Sequence, residues 1–372
     1  MTAVQAAAAI DRGLRAGWPS LEMDLVPMAD GGEGTVDAFL AAGWHREVRT
    51  VTGPLGAPVR AAFAWEGTTA VVEMAAASGL ALAGTARDPL RATTFGTGEL
   101  VRAALDLGAR RVVLAVGGSA TNDAGAGFLE ALGVRFLDAD GRPLERGGAA
   151  LRRLARIDAS GFDPRLADVA FVVAADVDNP LTGPRGASAV FGPQKGAGPA
   201  CVAELDAALA HFADVAAATL GVDRRAVPGA GAAGGLAFAA LAWLGAGISP
   251  GVEIVAEIRG LAGRLAGSVL CLTGEGSIDL QSAGGKTVAG VGALALGAGV
   301  PVVAFGGRVS AEAEAALAPL GVICMPIVDG PRSLADSLRD ADALLARAAA
   351  RVGRLYAGRG LRSGGAAAFE DP

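Results

Sequence analysis

The residues best suited to chemistry stand in four short clusters, each just after a run expected to be a strand. Asp30-Gly31-Gly32-Glu33 follows residues 23–28, and Ser119-Ala120-Thr121-Asn122-Asp123 follows 111–116. Asp176-Val177-Asp178-Asn179 follows 169–174, and Gly274-Glu275-Gly276-Ser277-Ile278-Asp279 follows 268–273. Open α/β sheets bind ligands beyond the carboxyl ends of their strands. Carboxylates there suit divalent-cation binding or orientation of an attacking hydroxyl, both of which phosphoryl transfer uses. Asp123, Asp176, Asp178, Glu275 and Asp279 are therefore candidate ligands or bases. Asp178-Asn179-Pro180 also reads as a plain Asx turn.

Among 32 lysines and arginines, only Lys195 and Lys286 are lysine, and both lie in glycine-rich turns, Gly192-Pro193-Gln194-Lys195-Gly196 and Gly284-Gly285-Lys286-Thr287. The only asparagines, Asn122 and Asn179, each adjoin an aspartate of a cluster above. An ammonium is a compact, rotatable cation for phosphate, a role that arginine's planar fork does not reproduce. Gly285-Lys286-Thr287 ends like a P-loop, but that motif needs glycine at position 280, which is Leu280. Gly229-Ala230-Gly231-Ala232-Ala233-Gly234 satisfies GxGxxG, yet Arg225-Ala226-Val227-Pro228 stands where a dinucleotide-binding strand should end. A glycine-rich helix start, with Gly231, Gly234 and Gly235 close to nucleotide phosphates, is the preferred reading. A nicotinamide-dependent oxidoreductase is an alternative. His45 and His211 are isolated, so no Ser-His-Asp constellation is supported.

The elements that must hold these clusters alternate between apolar, β-branched runs and Ala/Leu-rich helical runs. That is the pattern of α/β domains with largely parallel sheets covered on both faces. Strands are expected at 111–116, 169–174, 268–273, 300–305 and 322–328, and helices at 4–16, 203–219, 235–244 and 333–355. Between 48 and 74 the turn Thr52-Gly53-Pro54-Leu55-Gly56 joins two β-rich runs as a hairpin. The tail after Arg362 lacks periodicity and is expected to be loose.

At 372 residues the chain exceeds one ordinary core, so two domains are expected. A net charge of −6 supplies no basic field for nucleic acid. Cys201, Cys271 and Cys324 are far apart and set among apolar neighbours, which fits buried thiols in a reducing cytoplasm rather than disulfides or zinc. The N-terminus lacks a basic leader pattern. Residues 226–252 and 287–307 approach the roughly 20 residues of a membrane span. Both are broken by glycine and proline, and each is expected to form a helix, a turn and a buried strand.

Read in order, the clusters resemble the type I glycerate kinase family. Val26-Pro27-Met28-Ala29-Asp30-Gly31-Gly32-Glu33-Gly34 looks like its first signature, and Thr52-Gly53-Pro54-Leu55-Gly56, Glu73-Met74-Ala75-Ala76-Ala77-Ser78-Gly79 and Phe95-Gly96-Thr97-Gly98-Glu99 follow. Gly117-Gly118-Ser119-Ala120-Thr121-Asn122-Asp123, Asp176–Leu181, Phe191–Gly196, Gly229–Gly235 and Thr273–Gly276 complete the series. The resemblance implies ATP-dependent phosphorylation of D-glycerate, giving 2-phosphoglycerate, with Mg²⁺. It implies a flavodoxin-like domain from both chain ends (1–50 and 265–372), an inserted α/β domain (51–264), and substrates in the cleft between them. Asp176, Asp178, Lys195 and Lys286 would be catalytic. Asp30, Glu33, Ser119, Thr121, Asn122, Asp123, Asn179, Gly231, Gly234, Gly235 and Glu275 would bind substrate or nucleotide, and Asp176, Glu275 and Asp279 would hold metal. Glycerate and ATP are the implied partners, with a homodimer open as the assembly. Departures are Ser277, where relatives favour arginine, and the 280–284 loop. The family's opening strand and its Asp-Ser-Phe-Lys-Gly-type loop are expected to be missing, because Met1 lies almost at the first helix. A non-catalytic binding relative is the alternative which that loss suggests.

Overall fold

The computed structural model describes residues 1–284 and 286–357; the tail expected to be loose, and Gly285 of the lysine turn, lie outside them. By contacts the chain divides into two compact units, Met28–Val255 and Met1–Pro27 with the segment from Ala256 onward.

The central unit contains β1 (His45–Thr52), β2 (Pro58–Glu66), β3 (Thr69–Glu73), β4 (Arg111–Ala115), β5 (Arg135–Leu137), β6 (Arg156–Asp158), β7 (Ala170–Ala174) and β8 (Gly247–Ser249). Six of them form one sheet in the order β1-β2-β3-β4-β7-β8, and β5 pairs with β6 separately. β1, β2 and β3 pair antiparallel, whereas β3, β4, β7 and β8 run parallel. The expected hairpin forms in full register, from His45 opposite Trp65 to Thr52 opposite Pro58. That ladder explains one correction: residues 28–50, expected with the chain ends, belong to the central unit because β1 is a strand of its sheet.

Val112, Val113 and Leu114 are fully buried, as an apolar run without alternation should be when both sheet faces are covered. The long helix Pro199–Leu220 starts with proline in its first turn and ends at Gly221 in the left-handed region, φ +73°. Its Phe212 packs between Phe136 and Phe238, with ring centroids 5.5 and 6.1 Å away. Residues 226–252 give the helix Ala232–Trp243 and then β8, and no described helix is long and apolar enough to cross a membrane.

The second unit has β9 (Cys271–Ile278), β10 (Val302–Val309) and β11 (Val322–Pro326), parallel in the order β11-β10-β9. Both chain ends contribute, because the helices Ala3–Gly17 and Ala341–Ala357 pack at backbone distance. A Cβ at Gly13 would stand 2.0 Å from the Ala346 carbonyl oxygen, so only glycine admits this approach. The helix expected over 333–355 is broken at Asp340 into Leu334–Arg339 and Ala341–Ala357.

Two strand expectations need correction. Residues 23–28 form no strand. Pro27 cannot donate to a ladder, and Asp24 is drawn to Arg264 at 2.8 Å, although Leu21 and Met23 still pack on this unit's core. β9 also continues past Thr273 through Gly274-Glu275-Gly276, because β10 extends its pairing to Val309 opposite Ile278. Glu275 is therefore a strand residue rather than part of a following loop.

Candidate active site

In the central unit the carboxyl ends of β3, β4, β7 and β8 gather several of the expected residues. The Asp30–Gly34 turn lies over the ends of β4 and β7. Gly117 N donates to the Gly31 carbonyl at 3.1 Å, and a Cβ on Gly31, at φ +88°, would meet Ala174 at 2.9 Å. Asp30 folds back to accept from Gly32 N at 3.1 Å. Glu33 is exposed and its side chain lies against Gly118. Asp176, just after β7, is exposed, and its Oδ1 accepts from Gly251 N at 3.0 Å. Ser119, after β4, is half-buried and meets Lys195 Nζ at 2.8 Å. Asp30, Glu33, Ser119 and Asp176 thus share one strand-end face.

Lys195, expected to neutralise phosphate or carboxylate, is only 1 % exposed. Its Nζ also donates to the Thr121 carbonyl at 2.6 Å. Burial pushes its pKa down from 10.5 to about 7, against the pull of nearby Asp123. Asp123 is fully buried, which raises its pKa. Hydrogen bonds from Thr94 N (2.8 Å), Thr94 Oγ1 (2.9 Å), Gly125 N (3.1 Å) and Gly127 N (3.3 Å) oppose that rise. Asn122 Nδ2 donates to Ser188 Oγ at 2.8 Å, and Thr121 Oγ1 donates to the Ala233 carbonyl at 3.3 Å. Thr121, Asn122 and Asp123 are all fully buried and form the scaffold behind Ser119.

The glycines of the GxGxxG run also work inside the fold. A Cβ at Gly231, Gly234 or Gly235 would fall 2.3 Å from the Pro180 carbonyl oxygen, 2.1 Å from the Thr121 carbonyl oxygen, or 2.6 Å from Ala124 Cα. All three are buried, and close contact with neighbouring backbone requires glycine at each. No strand leads into this segment, which removes the support for a dinucleotide fingerprint.

Asp178 and Asn179 sit apart on a turn bound to Arg185. Asp178 makes an exposed ion pair with its guanidinium at 2.8 Å, which lowers the carboxyl pKa, while Asn179 Nδ2 donates to its carbonyl at 2.8 Å. Glu275, Asp279 and Lys286 belong to the second unit. There Glu275 accepts from Ser282 Oγ at 2.6 Å and from Val288 N at 3.2 Å. Lys286 is the N-cap residue of the helix Thr287–Gly297. Among the described residues no three His, Cys, Asp or Glu side chains converge as a metal cage.

The sequence reading missed Glu73 and Gly251. Glu73 ends β3 and accepts from Val36 N at 2.6 Å, fixing the helix Thr35–Leu40 behind the Asp30 turn; burial raises its pKa. A carboxylate closing an apolar strand was the available signal. Gly251 leaves room for the Asp30 carbonyl, 2.0 Å from where its Cβ would be, and nothing local in sequence announces that approach.

Residues 1–357 match the model of the glycerate kinase family. The chain is 47% identical over 353 residues to a glycerate kinase of Bacillus subtilis (strain 168), covering 94% of this chain and 92% of the relative. It is 48% identical over 314 residues to a glycerate 2-kinase of Escherichia coli (strain K12), covering 83% and 82%. A crystal structure from Salmonella typhimurium LT2, assigned as glycerate kinase 2, superposes with a TM-score of 0.83 at 42% identity, covering 97% of this chain and 96% of that one.

Proposed function

We propose ATP-dependent phosphorylation of D-glycerate at its 2-hydroxyl for this chain, which belongs to the glycerate kinase family. The observation that carries the position of transfer is the 48% identity with the E. coli glycerate 2-kinase. The convergence of Asp30, Glu33, Ser119 and Asp176 at the ends of parallel strands supports the same reading.

Asp176 is the acceptor-activating carboxylate in this proposal. It takes the proton of the glycerate 2-hydroxyl as that oxygen bonds to the γ-phosphorus of ATP, and the bond from the γ-phosphorus to the bridging oxygen breaks to release ADP. Asp30 and Glu33 flank the acceptor on the same face. A nucleotide-borne Mg²⁺ needs only one or two protein carboxylates besides phosphate oxygens and water, and exposed Glu33, on the same face as Asp176, fits that donor class. Bound there, the ion would neutralise phosphate charge. A cytoplasmic location accompanies the proposal.

Purified protein with ATP, Mg²⁺ and D-glycerate should release ADP, with 2-phosphoglycerate identified by ³¹P NMR. Absence of turnover defeats the reading, and 3-phosphoglycerate as sole product defeats the assignment of the 2-hydroxyl. ATP, and not NAD, should raise the thermal midpoint.

A further inference from the structure

We propose that Ser119 and Lys195 form a donor pair, in which the buried ammonium turns the serine hydrogen outward onto an anionic oxygen of a bound substrate. The inference rests on the kinase reading above. Lys195 Nζ lies 2.8 Å from Ser119 Oγ and 2.6 Å from the Thr121 carbonyl oxygen. Below its folded pKa of about 7 Lys195 is an ammonium and only donates, whereas a hydroxyl has one hydrogen and two lone pairs. Ser119 Oγ therefore accepts from Lys195, and its own hydrogen must go elsewhere. Among the described residues Lys195 is its only hydrogen-bond partner.

Burial gives the pair its direction. Lys195 is 1 % exposed and Ser119 is half-buried, so a ligand can reach the serine but not the lysine. The serine is also held in place: Leu80 N donates to the Gly118 carbonyl at 2.8 Å, and Ala120 N donates to the Ser78 carbonyl at 3.0 Å. A donor fixed before the ligand arrives needs no reorganisation to meet negative charge. Asp123 offsets the lysine's charge without competing for Ser119, because Thr94, Gly125 and Gly127 occupy its oxygens. Ser119 is thus the residue that meets substrate, and Lys195 is a positioning residue acting through it.

Two substrates carry a suitable oxygen, glycerate through its carboxylate and ATP through its phosphates. Steady-state kinetics at about pH 6, where Lys195 is charged, with each varied separately distinguish them, using the full chain as wild type, Ser119→Ala, Ser119→Cys and Ser119→Thr, with thermal midpoints alongside. Losing one hydrogen bond to a charged group should raise the affected KM about 10- to 100-fold in Ser119→Ala. Ser119→Cys, close in size with a weak donor, should raise the same KM. Ser119→Thr, which keeps the hydroxyl, should stay within about threefold. A rise in the glycerate KM identifies the carboxylate, and a rise in the ATP KM identifies a phosphate. Lys195→Met should reproduce the Ser119→Ala split between KM and kcat. If the folded alanine and cysteine variants keep both KM values within twofold, the proposal is overturned; a merely structural serine would lower the midpoint and leave both KM values unchanged. An inactive wild type would instead defeat the kinase reading.

Discussion

Ala124 N donates to the Gly234 carbonyl at 2.9 Å, joining two segments that both enter the left-handed region, at φ 52° for Ala124 and 67° for Gly234. The bond ties the loop after β4 to the start of the helix Ala232–Trp243, and so holds the backbone that carries Ser119. Gly234→Ala drives a methyl group to 2.1 Å from the Thr121 carbonyl oxygen. Overpacking against backbone should cost about 3 kcal/mol or more. Gly221 is a matched control, with φ +73° and nothing within 4 Å of its Cβ position. Gly221→Ala should cost only about 1 kcal/mol. Urea denaturation of both variants checks the difference, and equal losses would refute the interlock.

Lys195 makes stability depend on pH in an unusual direction. Its folded pKa is about 7 and its ordinary value 10.5. Between these values the unfolded chain holds a proton that the folded chain lacks, so stability rises with pH across that window. The cost of burying the charge is present in full below it. Lys195→Met removes the titration, and wild type should gain on the variant by up to about 1.4 kcal/mol per pH unit through the window. Urea midpoints at several pH values measure this, and a difference independent of pH would count against a titrating buried lysine.

Asp176 and Asp178 are two residues apart but occupy different surroundings, one bound to Gly251 N and the other to the Arg185 guanidinium. Asp176→Asn keeps an oxygen for Gly251 while removing the base, so kcat should fall about 10²- to 10⁴-fold with the fold intact. Asp178→Asn breaks only an exposed ion pair and should change kcat less than about twofold. Assays of the two purified variants decide which carboxylate serves the reaction.

How far the sequence could be read depended on whether the deciding partner was local. β4 was legible because its unbroken apolar run is buried on both faces, Val112, Val113 and Leu114 alike. The extension of β9 through Gly274-Glu275-Gly276 was not, since its pairing comes from β10. Rarity singled out Lys195, but nothing local revealed that its ammonium turns inward to Ser119 and Thr121. Gly231, Gly234 and Gly235 looked like phosphate-binding glycines because close approach to any backbone demands the same residue. Asp176 was placed correctly at a strand end, whereas Glu73 was passed over because its partner, Val36 N, comes from a distant helix start.

Glu275 offers a final test, in the second unit. The helix Thr287–Gly297 begins at Lys286, whose side chain makes no capping hydrogen bond, so an amide of the first turn must be satisfied from elsewhere. Glu275 supplies the acceptor from β9, taking Val288 N at 3.2 Å while Ser282 Oγ fixes its other oxygen at 2.6 Å. A carboxylate there also meets the positive end of the helix dipole. Glu275→Ala should cost about 1 kcal/mol, as loss of an N-cap does, and Glu275→Gln less because its carbonyl oxygen still accepts. Urea denaturation gives both values. If alanine and glutamine are equally harmless while phosphorylation stops in both, Glu275 acts on the substrates and not on the helix.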